Sequence, residues 1–335
     1  FMPEKKRNAD SPAPPESLCD KVRVPLLERA GALGKRRLKR ERFLRGLDID
    51  KDETALFGFV LKTIVYCIRF VLVVFGLYRR GIKNARELRL VHHDIAIPDL
   101  PEALEGFRIL HLSDFHFPRR FPQFAASIGD LLKGVEVELC VLTGDYRYGY
   151  FGPSDHVAPH MLTALRNVTT HYGVYAVLGN HDRFHIGELL EDAGISVLFN
   201  EGALLHHRKS AIWICGIDEP HFYGCDDMDA ALRDRPEDAF TILLVHAPER
   251  VRQAAEKKVS LYLAGHTHGG QIRLPVIGAL VSNARCRRSQ VWGVWRYGTM
   301  AGHTTSGIGA TDVPVRYNCP PEAAMLTLRR DTKRT

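Results

Sequence analysis

Asp114, His116, Asp145, Asn180, His181, His246, His266 and His268 have the residue types and spacing of a metal site. All but His181 read as ligands; they offer oxygen or nitrogen and no thiolate, which suits a hard-to-borderline divalent ion: Mn, Fe, Zn or Mg. Asp114 and His116 are two residues apart, and so are His266 and His268. In extended chain such pairs point the same way, so each pair is expected to reach one locality. Seven donors are more than one tetrahedral ion needs and suit two ions sharing a carboxylate. Asp145, in its Gly144-Asp145 turn, is the natural bridge. Two ions about 3.5–4 Å apart clamp the attacking and leaving oxygens of an in-line phosphoryl displacement, and a bridging water becomes hydroxide near neutral pH. A protein base is then unnecessary. The remaining need is an acid for the leaving oxygen, and His181 beside Asn180 is placed for it. Asp182 either fixes the His181 tautomer or shapes its loop.

Each residue alone has a weak claim, since a single Gly-Asp or Asn-His-Asp is usually turn chemistry. Their shared context is stronger. Short apolar runs (FRILHL, LCVLT, GVYAVL, TILLV, LYLA) end respectively at Ser113-Asp-Phe-His116, Gly144-Asp145, Gly179-Asn-His-Asp182, His246 and Gly265-His-Thr-His268. Such runs read as buried strands. Stretches 121–134, 155–168, 186–193 and 247–257 have helical composition. Alternation of this kind predicts an α/β body, with the polar clusters where open α/β sheets assemble ligand sites. His92, His93, His206 and His207 lack this context.

The chain has 335 residues, 45% hydrophobic and 25% charged, which excludes a wholly disordered, collagenous or heptad-repeat protein. Its seven cysteines form no CxxC pair, against both a disulfide scaffold and a cysteine zinc site. The net charge of +7 is unevenly placed: residues 1–100 carry 21 Lys and Arg against 13 Asp and Glu, residues 101–335 carry 25 against 26. A near-neutral catalytic body speaks against a polynucleotide substrate, so no nucleic-acid partner is expected. Arg119, Arg120, Arg147 and Arg183 lie close to candidate ligands, but surface charge accounts for them as well.

Residues 1–54 read as a disordered, basic N-terminal segment, with a solvated helix around Lys35 to Arg45. Residues 55–80 read as an apolar membrane-associating helix. Its stretch 55–78 is long enough to span, but Lys62, Tyr66 and Arg69 form a polar stripe typical of a helix in the interface plane. Residues 81–104 read as a connector and 105–330 as the catalytic domain. The expected location is peripheral, with a membrane lipid surface as partner and the body on the cytoplasmic side, facing the anionic leaflet. Deleting residues 1–80 should then leave hydrolysis of a small soluble substrate intact.

The five polar blocks resemble those of the calcineurin-like metallophosphoesterase superfamily over about residues 105–330. That resemblance implies a four-layer α/β-sandwich. It also implies one ion on Asp114, His116, Asp145 and His268, another on Asp145, Asn180, His246 and His266, and His181 as the acid, with Mn the first choice of metal. The Gly265-His-Thr-His-Gly-Gly-Gln271 extension, the apolar N-terminal stretch and the closing run at 307–322 resemble a membrane-associated branch. It includes YkuE-like proteins and the alternative UDP-2,3-diacylglucosamine pyrophosphatases of lipid A synthesis. The implied function is hydrolysis of a phosphodiester or pyrophosphate bond in a lipid-linked substrate by a metal-bridging hydroxide. A soluble-substrate nucleotide phosphodiesterase or nuclease is the alternative, and a catalytically dead membrane scaffold comes last.

Overall fold

Alternation of side chains along the central strands decides the architecture. In β2 (Arg108–Leu112), Leu110 and Leu112 point into one apolar cluster and Ile109 into another. In β10 (Phe240–Leu244), Ile242 and Leu244 share the second cluster with Ile109, while Leu243 enters a third. Strands buried on both faces need cover on both, and two sheets stacked between helices provide it. The computed structural model describes residues 24–46, 63, 66–150, 152–279, 281–311 and 313–331.

The first sheet runs β1-β16-β2-β4-β6-β7, with β1 Arg89–Ile97, β4 Leu139–Leu142, β6 Val174–Ala176, β7 Ser196–Val197 and β16 Glu322–Arg330. β2, β4, β6 and β7 are parallel, and β16 runs antiparallel to β2. The second sheet runs β14-β15-β11-β10-β9-β8, with β8 Glu201–His207, β9 Ser210–Gly216, β11 Leu261–Ala264, β14 Gly293–Tyr297 and β15 Met300–Thr304. Its inner strands are parallel and its two edges antiparallel. Helices Pro122–Leu131, Val157–Leu165 and Phe184–Asp192 place Ile128, Met161 and Leu190 on the outer side of the first sheet. Short helices Met228–Ala231 and Val251–Glu256 cover the second with Ala231 and Ala254. The α/β expectation holds, with two mixed sheets.

In the N-terminal part, residues 24–46 differ from their expected form, while 1–23 and 47–54 lie outside the described residues. Helix α1, Leu26–Gly46, is docked rather than solvated. Leu26 and Ala30 enter the same core cluster as Phe184 and Leu190. Arg29 pairs with Glu191 and Glu201, and Arg37 is fully buried. The basic run thus contributes both apolar contacts and specific ion pairs, which a count of charges does not reveal.

Of the stretch 55–78, only 63 and 66–78 lie within the described residues, so Lys62 falls outside them. Residues 66–74 are helical, and the helix breaks at Gly76, whose φ is 67°, before Leu77–Asn84 begins. Among the described residues no helix is long and apolar enough to cross a membrane. Ile68 and Leu72 pack on Val313 and Val315. Tyr66, Phe70, Val73, Val74 and Phe75 stay exposed.

Candidate metal centre

The eight residues follow the C-terminal ends of parallel strands of both sheets. Asp114 and His116 leave β2, Asp145 leaves β4, Asn180 and His181 leave β6, His246 leaves β10, and His266 and His268 leave β11. The i, i+2 pairs converge, but not by the extended geometry expected of them. Asp114, His116, Asp145, His266 and His268 all have left-handed backbones, with φ between 44° and 68°. Such conformations are uncommon outside glycine, cost on the order of 1–3 kcal/mol each and concentrate at functional sites. Tight turns, not strand pleat, aim these side chains inward.

Two groups form. Asp114, His116 and His268 make one; Asp145, His246 and His266 make the other. Asp145 joins them, because its Oδ2 is 3.6 Å from His116 Nε2 and 3.3 Å from His246 Nε2. Asn180 Oδ1 is 2.9 Å from both His246 Nε2 and His266 Nδ1. His116 Nε2 and His268 Nε2 approach to 3.1 Å, and His246 Nε2 and His266 Nδ1 to 3.2 Å.

The outward nitrogens explain how those inward ones are prepared. His116 Nδ1 lies 3.2 Å from Arg147 O, His246 Nδ1 2.7 Å from Thr143 O, and His266 Nε2 2.9 Å from Asn283 O. A backbone carbonyl only accepts, so each outward nitrogen donates its hydrogen and leaves the inward one as the position that a cation, metal or proton, can occupy. Such positions turned on one another, around two buried carboxylates, fit cations between them.

Burial favours the uncharged forms here. It lowers His116 and His266 to about 3 and His268 well below its usual value. Burial also lifts the Asp114 carboxyl to about 7, with the Asp145 charge adding to it. For Asp145, burial is outweighed by His246 and His181, which hold it well below the carboxylate range. For His246, burial opposes protonation but Asp145 prevails and raises it to about 10. Without metal, protons on Asp114 and His246 therefore stand where cations would sit. Metal loading of the apo protein at pH 7 should release about one to two protons, and affinity should fall as the pH drops below about 10, where His246 takes a proton, and more steeply below about 7, where Asp114 does too. Calorimetry in buffers of different ionisation enthalpy checks this; no buffer dependence would contradict it.

Two glycines let the loops close. A Cβ on Gly179 would lie 2.2 Å from Asp145 Oδ1, and one on Gly265 would lie 2.1 Å from Ser113 Oγ and 2.4 Å from Asp114 Oδ2. Gly179→Ala should displace the Asp145 carboxylate and lower both metal content and turnover by about tenfold or more, checked by metal analysis beside kcat. Asp182 shapes the loop: its Oδ2 accepts from Asp145 N at 2.7 Å and Gly179 N at 2.8 Å, and its Oδ1 from Tyr146 N at 2.9 Å.

Residues 107–270 match the calcineurin-like phosphoesterase family. The phosphodiesterase YaeI of Escherichia coli is 30% identical over 248 residues, covering 71% of this chain and 87% of that protein. The chain belongs to this family. The uncharacterized metallophosphoesterase YkuE of Bacillus subtilis is 28% identical, covering 72% of this chain and 86% of its own. A zebrafish transmembrane protein with metallophosphoesterase domain is 28% identical, covering 83% of this chain and 65% of its own. With its clustered His and Asp ligands, the chain is a metallophosphoesterase, a hydrolase.

Other residues join this phosphoesterase centre without a sequence signal. The Tyr150 ring stacks on His181 at 4.0 Å, and its hydroxyl accepts from Asn180 Nδ2 at 3.2 Å. Arg316 is buried beside His268 and donates to the carbonyls of Ser306 at 2.7 Å and Gly309 at 2.5 Å. Of the four arginines near the ligands, Arg119 is an exposed partner of Asp155, Arg120 is exposed, Arg183 immediately precedes the helix Phe184–Asp192, and Arg147 is buried against Gly152 O.

Proposed function

We propose that this metallophosphoesterase hydrolyses a phosphodiester or pyrophosphate bond in a substrate that carries an apolar chain, at a membrane surface. The observation that supports this reading is the shape of the site. A cavity of about 570 Å³ is lined by Asp145, Asn180, His181, His266 and His268 and also by Ile68, Val71, Leu72, Ile272, Leu274 and Val313. A phosphate with a lipid tail matches both kinds of lining; a nucleotide would leave the apolar wall without a partner.

The metal ligands would be Asp114, His116, Asp145 and His268 for one ion and Asp145, Asn180, His246 and His266 for the other. When bound, the two ions supply Lewis acidity at the phosphoryl oxygens and an acidified water as nucleophile. The chain supplies the rest. His181 stands 3.9 Å from Asp145 Oδ2 through Nε2, at the rim of the ligand cluster, where it can give a proton to the leaving oxygen. Tyr150 covers one face of that imidazole and restricts its rotation. The apolar walls exclude water from the bond being broken.

The test is hydrolysis by the full chain reconstituted with Mn, then with Zn, Fe or Mg. The panel holds UDP-2,3-diacylglucosamine, a small aryl phosphodiester, a phosphomonoester and single-stranded DNA. A kcat/KM for the acylated pyrophosphate well above that for the small diester supports the reading. Preference for an unacylated nucleotide or for DNA would overturn it in favour of the soluble-substrate alternative.

A further inference from the structure

We propose that Arg37, on helix α1, is a positioning residue for hydrolysis, holding the loop that carries Asn180 and His181. This rests on the hydrolase assignment and not on the lipid reading.

Arg37 lies outside the family match and its side chain is wholly buried. Burying a guanidinium is costly unless every edge finds an acceptor. Here each edge does. Nη1 pairs with the buried Asp218, Nε donates to Glu41 Oε1 at 3.0 Å, and Nη2 donates to Asp182 O at 2.6 Å and towards Gly179 O at 3.4 Å. The guanidinium also lies over the Tyr223 ring, 3.3 Å from its centre. Gly179 and Asp182 bracket Asn180 and His181, so one planar group grips both ends of the segment bearing a metal ligand and the acid. Glu41 extends the grip by accepting from Phe184 N at 2.8 Å.

From the opposite side, the Asp182 carboxylate ties the same loop to the Asp145 and Gly179 amides. The loop is therefore held between two anchors, and only the Arg37 anchor comes from the N-terminal helix. A lysine could replace the charge but not the fork that reaches Asp218, Glu41 and the loop carbonyls together. A helix needed only for packing would rely on Leu26, Leu27 and Ala30, which already meet the core.

The experiment uses the full, metal-loaded chain and a small soluble aryl phosphodiester. Arg37→Ala should lower kcat by about 10–100-fold, with KM moved about threefold or less. Added guanidinium should restore part of that loss. The loss should also shrink sharply in a His181→Ala background, because the residue acts through that loop. Arg29→Ala, which breaks the pairing of α1 with Glu191 and Glu201 away from the loop, should lower Tm while leaving kcat within about twofold. If Arg37→Ala does not fold, Arg37→Lys decides: a kcat loss of about tenfold or more that is non-additive with His181→Ala supports the proposal. A kcat near wild type below Tm, or losses that add fully with those of His181→Ala, would reduce Arg37 to a structural role and overturn it.

Discussion

Replacing Asp145 by Asn is expected to remove metal and activity together, with kcat down on the order of 10³-fold or more. Its Oδ2 faces nitrogens of both ligand groups, and a neutral amide cannot balance two cations. The carboxylate also matters before metal arrives. It raises the proton affinity of His246, and its Oδ1 accepts from His181 N at 2.8 Å. The variant should therefore lose order in the 179–182 loop as well as charge. His181→Ala makes the contrast. It removes a donor of the transition state and no ligand, so both metals should remain while kcat falls about 10²–10⁴-fold. Metal content by emission spectrometry beside kcat separates the two; the reverse pattern would exchange their roles.

That contrast could be set up from the residues because the metal-site residues sit at strand ends, and both the strand runs and the donor types are local signals. The eight residues lie near one another, and the α/β body stands with two mixed sheets. The mechanism of convergence was not legible. Spacing suggested extended pairs, whereas Asp114, His116, His266 and His268 reach the centre from left-handed turns that depend on distant neighbours. Gly265, for instance, is needed because Ser113 and Asp114 from another sheet pass beside it. Arg37 shows the same limit more sharply. Within a run of lysines and arginines it has no distinguishing mark; its role comes from Asp218, Gly179 and Asp182, about 140 to 180 residues further along. Tyr150 likewise becomes meaningful only through the ring it covers. A sequence shows which groups could do chemistry, and long-range packing shows which others hold them.

That packing also changes how membrane association has to be tested. With α1 built into the body, deleting residues 1–80 should abolish hydrolysis of soluble and lipid substrates alike, so truncation no longer isolates an anchor. Point changes on the exposed rim do. Phe70 and Phe75 are 69% and 72% exposed, beside the cavity wall made by Ile68, Val71 and Leu72. Val276, Ile277 and Val281, in the segment that also gives Leu274 to the cavity wall, are exposed too. Arg69, Arg79, Arg80 and Lys83 are exposed on the same segment, where anionic headgroups would meet them. Under the proposed reading these apolar tips enter the interface and hold the cavity over the headgroups, so that a lipid phosphate reaches the metals without full extraction of its chains. Burying one Phe side chain is worth about 1.5–3 kcal/mol. Phe70→Ser with Phe75→Ser should therefore weaken binding to anionic vesicles by about 10²-fold or more, with a matching loss on vesicle-borne substrate. Hydrolysis of a small diester and Tm should stay near wild type, since neither ring packs in the core. Sedimentation with vesicles of fixed composition reads the first effect and a soluble chromogenic diester the second. Equal loss on both substrates would make the rim part of the catalytic fold. Unchanged vesicle binding would remove the Phe70 and Phe75 rim as the contact with the membrane surface. Under the same proposed reading, carbonate should release the protein from membranes; retention, with the body open to protease from outside, would instead require a span and an extracytoplasmic site.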